Sequence, residues 1–134
     1  MSKKKREMPK PTGAELELLG VLWERGPSTV REVHESSGGT KGTGYTTTLK
    51  ILQKMADKGL VERDESKRSH VYRAAGRPEV TQRRLGGELM ERAFGGSPAK
   101  LMVQALSDDR ATPEELAEMR RLLDELESNQ KKGK

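Results

Sequence analysis

The chain has 134 residues, 31% of them apolar, 3% aromatic and 35% charged, and carries a net charge of +5 at pH 7. So short and polar a chain holds little core material, and pairing with a second copy is the simplest way to bury more surface. The lack of cysteine excludes a disulfide framework, thiolate metal sites and cysteine nucleophiles, and the two histidines, His34 and His70, form no ligand-spaced cluster. No apolar run approaches the ~20 residues of a membrane span. The basic start of the chain lacks an apolar segment, so no secretory signal is expected and the expected location is the cytoplasm.

The placement of charge says more than its sum. Through Glu79 there are 16 Lys/Arg and 11 Asp/Glu, a net of +5. From Val80 onward there are 10 of each, a net of 0. This asymmetry suggests a half that faces nucleic acid and a neutral half with another task.

Residues 1–11 include Lys3, Lys4, Lys5 and Arg6 and are expected as a disordered basic arm, first a solubilising tail and second a phosphate contact. Thr12 with Glu15 makes a capping box, and Leu16, Leu19, Leu22 and Trp23 recur at helical spacing. Trp23 at that spacing is expected in the core. Gly26 and Pro27 stop this first helix. Thr29 and Glu32 repeat the box for a short second helix, with Val30 and Val33 inward and His34 solvated and without a role. Residues 36–44 hold four glycines and read as a turn. They lack the spacing and the Gly-Lys-Ser/Thr ending of a phosphate-binding loop.

The third helix is expected over Tyr45–Lys58, ended by Gly59. Leu49, Leu52 and Met55 form its apolar face, with Ile51 and Ala56 beside it. Thr46, Thr47, Lys50, Gln53 and Lys54 form the other face. Two β-prone runs, residues 60–63 and 70–73, flank a polar tip and predict a hairpin. Residues 76–79 read as a linker. Three more amphipathic helices follow. The first spans residues 80–94, the second 98–106, and the third opens at Thr112 with Pro113 in its first position and Glu115 completing a box. Residues 129–134 are expected as a disordered tail.

The expected fold is mainly α with a small β-hairpin. A winged helix-turn-helix occupies residues 12–75 and a helical dimerisation domain residues 80–128. In this layout the third helix enters a major groove and reads base edges from its first turns, while the wing touches phosphates. Thr43, Tyr45, Thr46, Thr47, Lys50 and Lys54 on or before the helix, and Lys67 and Arg68 at the hairpin tip, are the expected contacts to double-stranded DNA. The alternatives are that Thr46 and Thr47 only cap the helix, and that the domain is a protein-docking adaptor. The short C-terminal helices cannot bury their apolar faces alone, so Leu85, Leu89, Phe94, Leu101, Met102, Leu106, Leu116, Met119 and Leu123 are expected at a homodimer contact, with an intramolecular cap as the alternative. No nucleophile with a base, carboxylate dyad or phosphate loop appears. No catalytic residue, cofactor, metal or small-molecule substrate is therefore expected.

The string Gly44-Tyr45-Thr46-Thr47-Thr48-Leu49, then Leu52 and Lys58-Gly59-Leu60-Val61, resembles the penicillinase repressor family of the BlaI/MecI type. The match takes in the stretch from Glu15 to Trp23, the Gly26-Pro27 turn, the Phe94-Gly95-Gly96-Ser97 element and the closing helix, about residues 12–126. The resemblance implies a dimeric repressor of β-lactamase or related genes, inactivated through a membrane sensor protease that leads to cleavage in the C-terminal domain. It also implies that Thr46, Thr47 and Lys50 belong to the reading helix and that Lys67 and Arg68 belong to the wing. Gln104-Ala105 stands where some members carry the cleaved Asn-Phe pair, and the cysteines of copper-responsive relatives are absent.

Overall fold

The computed structural model describes residues 9–37 and 44–133. In chain order it contains α1 (Gly13–Arg25), β1 (Ser28–Thr29), α2 (Val30–Ser36), α3 (Tyr45–Lys58), β2 (Val61–Asp64), β3 (Val71–Ala74), α4 (Pro78–Ala93), α5 (Pro98–Leu106) and α6 (Pro113–Lys132). The chain divides into two units, residues 1–82 and 83–134, with the division inside α4.

In the first unit α1 and α2 start where their side chains satisfy the open backbone N–H groups. The Thr12 hydroxyl accepts from the Glu15 N–H at 3.2 Å, and the Glu15 carboxylate accepts from the Thr12 N–H at 2.9 Å. Thr29 and Glu32 do the same for α2, at 3.2 and 3.0 Å. The apolar stripes of α1, α2 and α3 then meet in one core of Leu18, Leu19, Leu22, Val30, Val33, Leu52 and Met55, joined by Leu60, Val61 and Tyr72. Trp23 packs against this core from its edge, as does Ile51. Leu18, absent from the expected stripe, is buried, while Leu16 is only half-buried.

A left-handed glycine turns the chain from α3 into the sheet. Gly59 has φ +85° and ψ 12°, and the Leu60 N–H reaches back to the Met55 carbonyl at 2.9 Å. The turn delivers Leu60 and Val61 to the core, each 2% exposed. The hairpin forms as expected, but its sheet has a third strand. β1 pairs antiparallel with β3 (Ser28 opposite Tyr72), and β2 pairs with β3 on its other side (Arg63 opposite Tyr72), giving the order β1-β3-β2.

One ion pair closes the unit at the base of α1. Glu15 is 3% exposed, and the Lys58 ammonium donates to both its carboxylate oxygens at 2.8 Å. Burial pushes the Glu15 carboxyl up, but the Lys58 bond and the Thr12 N–H outweigh it and hold the group below its ordinary value. The first turn of α1 is thereby bound to the last turn of α3.

The second unit is built differently. Thr112 and Glu115 cap α6 reciprocally at 3.0 and 3.1 Å, and Ser97 caps α5 at 3.1 Å. α5 and α6 are therefore well specified locally. Yet no residue of α4, α5 or α6 is buried. Leu89, Leu122, Leu123 and Leu126 are about half exposed and Val103 more so. Two expected boundaries change. α4 begins at Pro78, inside the 76–79 segment expected as a linker, because proline is preorganised for a first helical position. α6 continues to Lys132, through most of the expected tail, because Lys131 and Lys132 suit the negative end of the helix dipole.

Two outcomes follow for stability. Glu15→Gln should cost about 1–3 kcal/mol, less than the full penalty for breaking a buried pair because Lys58 is 29% exposed and regains water. Since the folded carboxyl titrates below its unfolded value of about 4.3, its contribution is present above that pH and lost as pH falls through the folded value. Thermal melts from pH 6 to pH 3 should show the wild type converging on Glu15→Gln at the acid end. Gly59→Ala should cost about 1 kcal/mol in denaturant unfolding, because φ there is left-handed.

Candidate nucleic-acid interface

Burial of one side of α3 dictates what the other side shows. Thr48, Leu52 and Met55 point inward. Thr46, Thr47, Lys50, Gln53 and Lys54 are all exposed, and Tyr45 is 43% exposed. Hydroxyls therefore occupy the first turn and ammonium groups the next two. The first turn contains no acidic side chain, and its N-cap is Gly44, which supplies no capping group. Its open N–H groups and the helix dipole make this end electropositive.

The start of α3 is held from the side by α2. The Thr48 hydroxyl, 2% exposed, lies 3.1 Å from His34 Nδ1. The His34 ring meets the Tyr45 ring edge-on, with centroids 6.0 Å apart and planes at 80°. The Arg31 guanidinium lies 5.7 Å from the Tyr45 ring centre. His34 is thus not the solvated residue expected from the sequence. It is half-buried, because Thr48 sits inside the α2–α3 contact and brings the imidazole with it. Sequence reasoning missed Arg31 altogether. The available signal was its spacing of three from His34, which places both on one face of α2.

The wing is the β2–β3 hairpin, and its acidic groups are largely occupied. Glu62 pairs with Arg73 across the ladder, with Arg73 Nε donating at 3.0 Å. Glu65 pairs with Arg63 at 2.7 Å. Asp64 accepts from the Ser66 hydroxyl at 2.7 Å and the Ser66 N–H at 2.9 Å, closing the tip turn. Those two bonds hold the Asp64 carboxyl below its ordinary value. Lys67 and Arg68 are exposed and have no ion-pair partner among the described residues.

The structure brings some of the expected residues together and separates others. Tyr45 and Arg68 line one groove of about 420 Å³, with Thr29, Arg31, Leu49, His70 and Tyr72. Lys67 instead lines a separate recess of about 500 Å³ with Pro27, Glu62, Asp64 and Arg73. Thr43 lies outside the described residues. Gln104 and Ala105 are both exposed on α5. Among the described residues no group of three or more acidic or histidine side chains is placed to hold a metal ion, and no helix is long and apolar enough to cross a membrane.

Residues 11–125 match the family model described as penicillinase repressor. The transcriptional regulator BlaI of Mycobacterium tuberculosis, in two strains, is 33% identical over 113 residues, which is 83% of this chain and 80% of that protein. The solution structure of the DNA-binding domain of the repressor BlaI is similar with a TM-score of 0.48 at 23% identity, covering 55% of this chain and 89% of that one. The Bacillus licheniformis BlaI monomeric form in complex with the blaP half-operator gives a TM-score of 0.47 with the same identity and coverage. With the family model matched over nearly all of its folded length and a relative at 33% identity, the chain belongs to the penicillinase repressor family of winged-helix transcriptional regulators.

Proposed function

We propose that this chain is a cytoplasmic dimeric repressor that grips a palindromic operator with two copies of α3, and that it controls a penicillinase or a related gene. The observation that carries the reading is the exposed face of α3. Thr46, Thr47, Lys50 and Lys54 stand free on a helix whose opposite face is locked in the core. Hydroxyls in the first turn suit phosphates and thymine methyl groups, and lysines one and two turns later suit guanine acceptors or phosphates. Arg68 lines the same groove as Tyr45, which supports a contact with the adjacent phosphate backbone.

The dimer rests on the second unit. Leu85, Phe94, Leu101, Met102, Leu106 and Met119 are only half-buried there, and Leu89, Leu116 and Leu123 are exposed. A two-fold partner covering these faces would supply the core that the unit lacks, and its symmetry matches a palindrome. A protease partner is part of the reading through family membership. The exposed Gln104–Ala105 bond of α5 departs from the Asn-Phe pair, so this bond is not assigned as the point of cleavage.

Selection of bound fragments from random duplex DNA at two salt concentrations tests the reading. It should return a palindrome with half-sites a whole number of turns apart, about 10 base pairs or a multiple. Unselected DNA, or none even at low salt, would move the assignment to a protein-docking adaptor. Thr47→Ala should reduce discrimination between operator and variant sequences by about 1 kcal/mol. Arg68→Ala should weaken binding to every duplex and lower the salt slope by about 1, with a smaller effect from Lys67→Ala, which lines the other recess. Leu123→Asp should turn the dimer into a monomer in sedimentation equilibrium. A dimer that survives it would show that α6 is not the contact.

A further inference from the structure

We infer that α2 braces the first turn of α3 from outside. In this arrangement His34 and Arg31 are positioning residues that fix the first turn of the reading helix before any DNA arrives. The effect on DNA recognition rests on the function proposed above. The bracing itself does not.

The sequence of that turn does not favour a helix. Thr46, Thr47 and Thr48 are three β-branched residues in succession, each restricted in its rotamers within a helix. The N-cap is Gly44, with no side chain to bind the open N–H groups. Thr12, Thr29, Ser97 and Thr112 each supply a capping hydroxyl to α1, α2, α5 and α6. A first turn with these two handicaps would fray if it depended on its own chain.

It depends on α2 instead. Thr48 turns its hydroxyl inward, where His34 Nδ1 meets it at 3.1 Å. Tyr45, one turn earlier, has the His34 ring at its edge and the Arg31 guanidinium 5.7 Å from its ring centre. α2 is itself fixed, because Val30 and Val33 are buried in the core at 7% and 0% exposure. The chain of constraint therefore runs from Val33 to His34, to Thr48 and Tyr45, and so to Thr46 and Thr47 between them. The orientation of the Tyr45 ring in the groove beside Arg68 is set by the same contacts. Preorganisation of this kind lowers the ordering cost of binding.

The test compares His34→Ala, Thr48→Val, their double variant and His34→Asn, whose amide places a polar atom where Nδ1 stands. Amide hydrogen exchange is read at Thr48, Leu49 and Lys50, the first residues with N–H groups bonded within the helix. Thr48 donates to the Gly44 carbonyl at 3.1 Å. His34→Ala and Thr48→Val should each speed exchange there about three- to tenfold, the range expected for one lost hydrogen bond. The double variant should do no more than either single one, because the two groups share one interaction. His34→Asn should restore protection, and Leu52 and Met55 should stay unchanged throughout. Unchanged exchange at Thr48–Lys50, additive losses, or a loss spread evenly along α3 would each overturn the external brace. In parallel, the ratio of operator to random-duplex affinity should fall about three- to tenfold in His34→Ala with the salt slope unaltered. An absence of operator preference in the wild-type protein would sink the repressor reading, while the exchange data would still decide the bracing.

Discussion

The structure depends on the burial of Leu52 and Met55. Both are fully excluded from solvent at the centre of a small core, and both lie on α3. A helix so fixed has no rotational freedom. Turning it by one residue, roughly 100°, would carry lysine or glutamine toward the core, where an unpaired polar or charged group costs several times what a lost methylene costs. The outward display of Thr46, Thr47, Lys50 and Lys54 is therefore the other side of a packing constraint. The same core sets the angle of α2 through Val30 and Val33, and the entry into the hairpin through Leu60 and Val61. Presentation of the surface and integrity of the fold are one problem in a domain this small.

Electrostatics in the first unit follows a consistent pattern. Half of its described acidic groups are engaged close to home. Glu15 takes Lys58, Glu62 takes Arg73, Glu65 takes Arg63, Glu32 serves as a cap beside Arg25, and Asp64 closes the wing turn. Of these carboxylates Glu15 alone is buried. The others are exposed and contribute little to stability. Their effect is on the field. With these carboxylates engaged locally, less negative charge opposes the field of Lys50, Lys54 and Arg68. The charge asymmetry visible in the sequence is thus carried in part by the exposed Lys50, Lys54 and Arg68, while Lys67 lines a different recess.

Much of this was legible in the residues because the signals were local. A threonine with a glutamate three positions on announced α1, α2 and α6, and Gly59 announced the end of α3. The polar face of α3 was legible from the spacing of Leu49, Leu52 and Met55. What could not be read depended on distance along the chain. Glu15 was visible as a cap, but its partner Lys58 lies 43 positions away. β1 is two residues long and exists only because Tyr72 and Val71 come to lie beside it. His34 looked idle because nothing nearby in sequence binds it, whereas Thr48 is 14 positions on. The side taken by each wing cation was likewise hidden. Neighbours in a hairpin tip diverge according to the turn that Asp64 and Ser66 make, and no periodicity encodes that.

The order of the sheet has a consequence for how the protein behaves in a crowded solution. β3 is covered on both sides, so the open backbone groups belong to β1, which is too short to recruit anything, and to β2. An unpaired edge is the ordinary starting point for strand addition between molecules. Here it carries Glu62, Arg63 and Asp64 in succession, and a second copy arriving in register would meet like charges and desolvate all of them. The hairpin that serves as a wing is thereby kept from serving as a seed for aggregation.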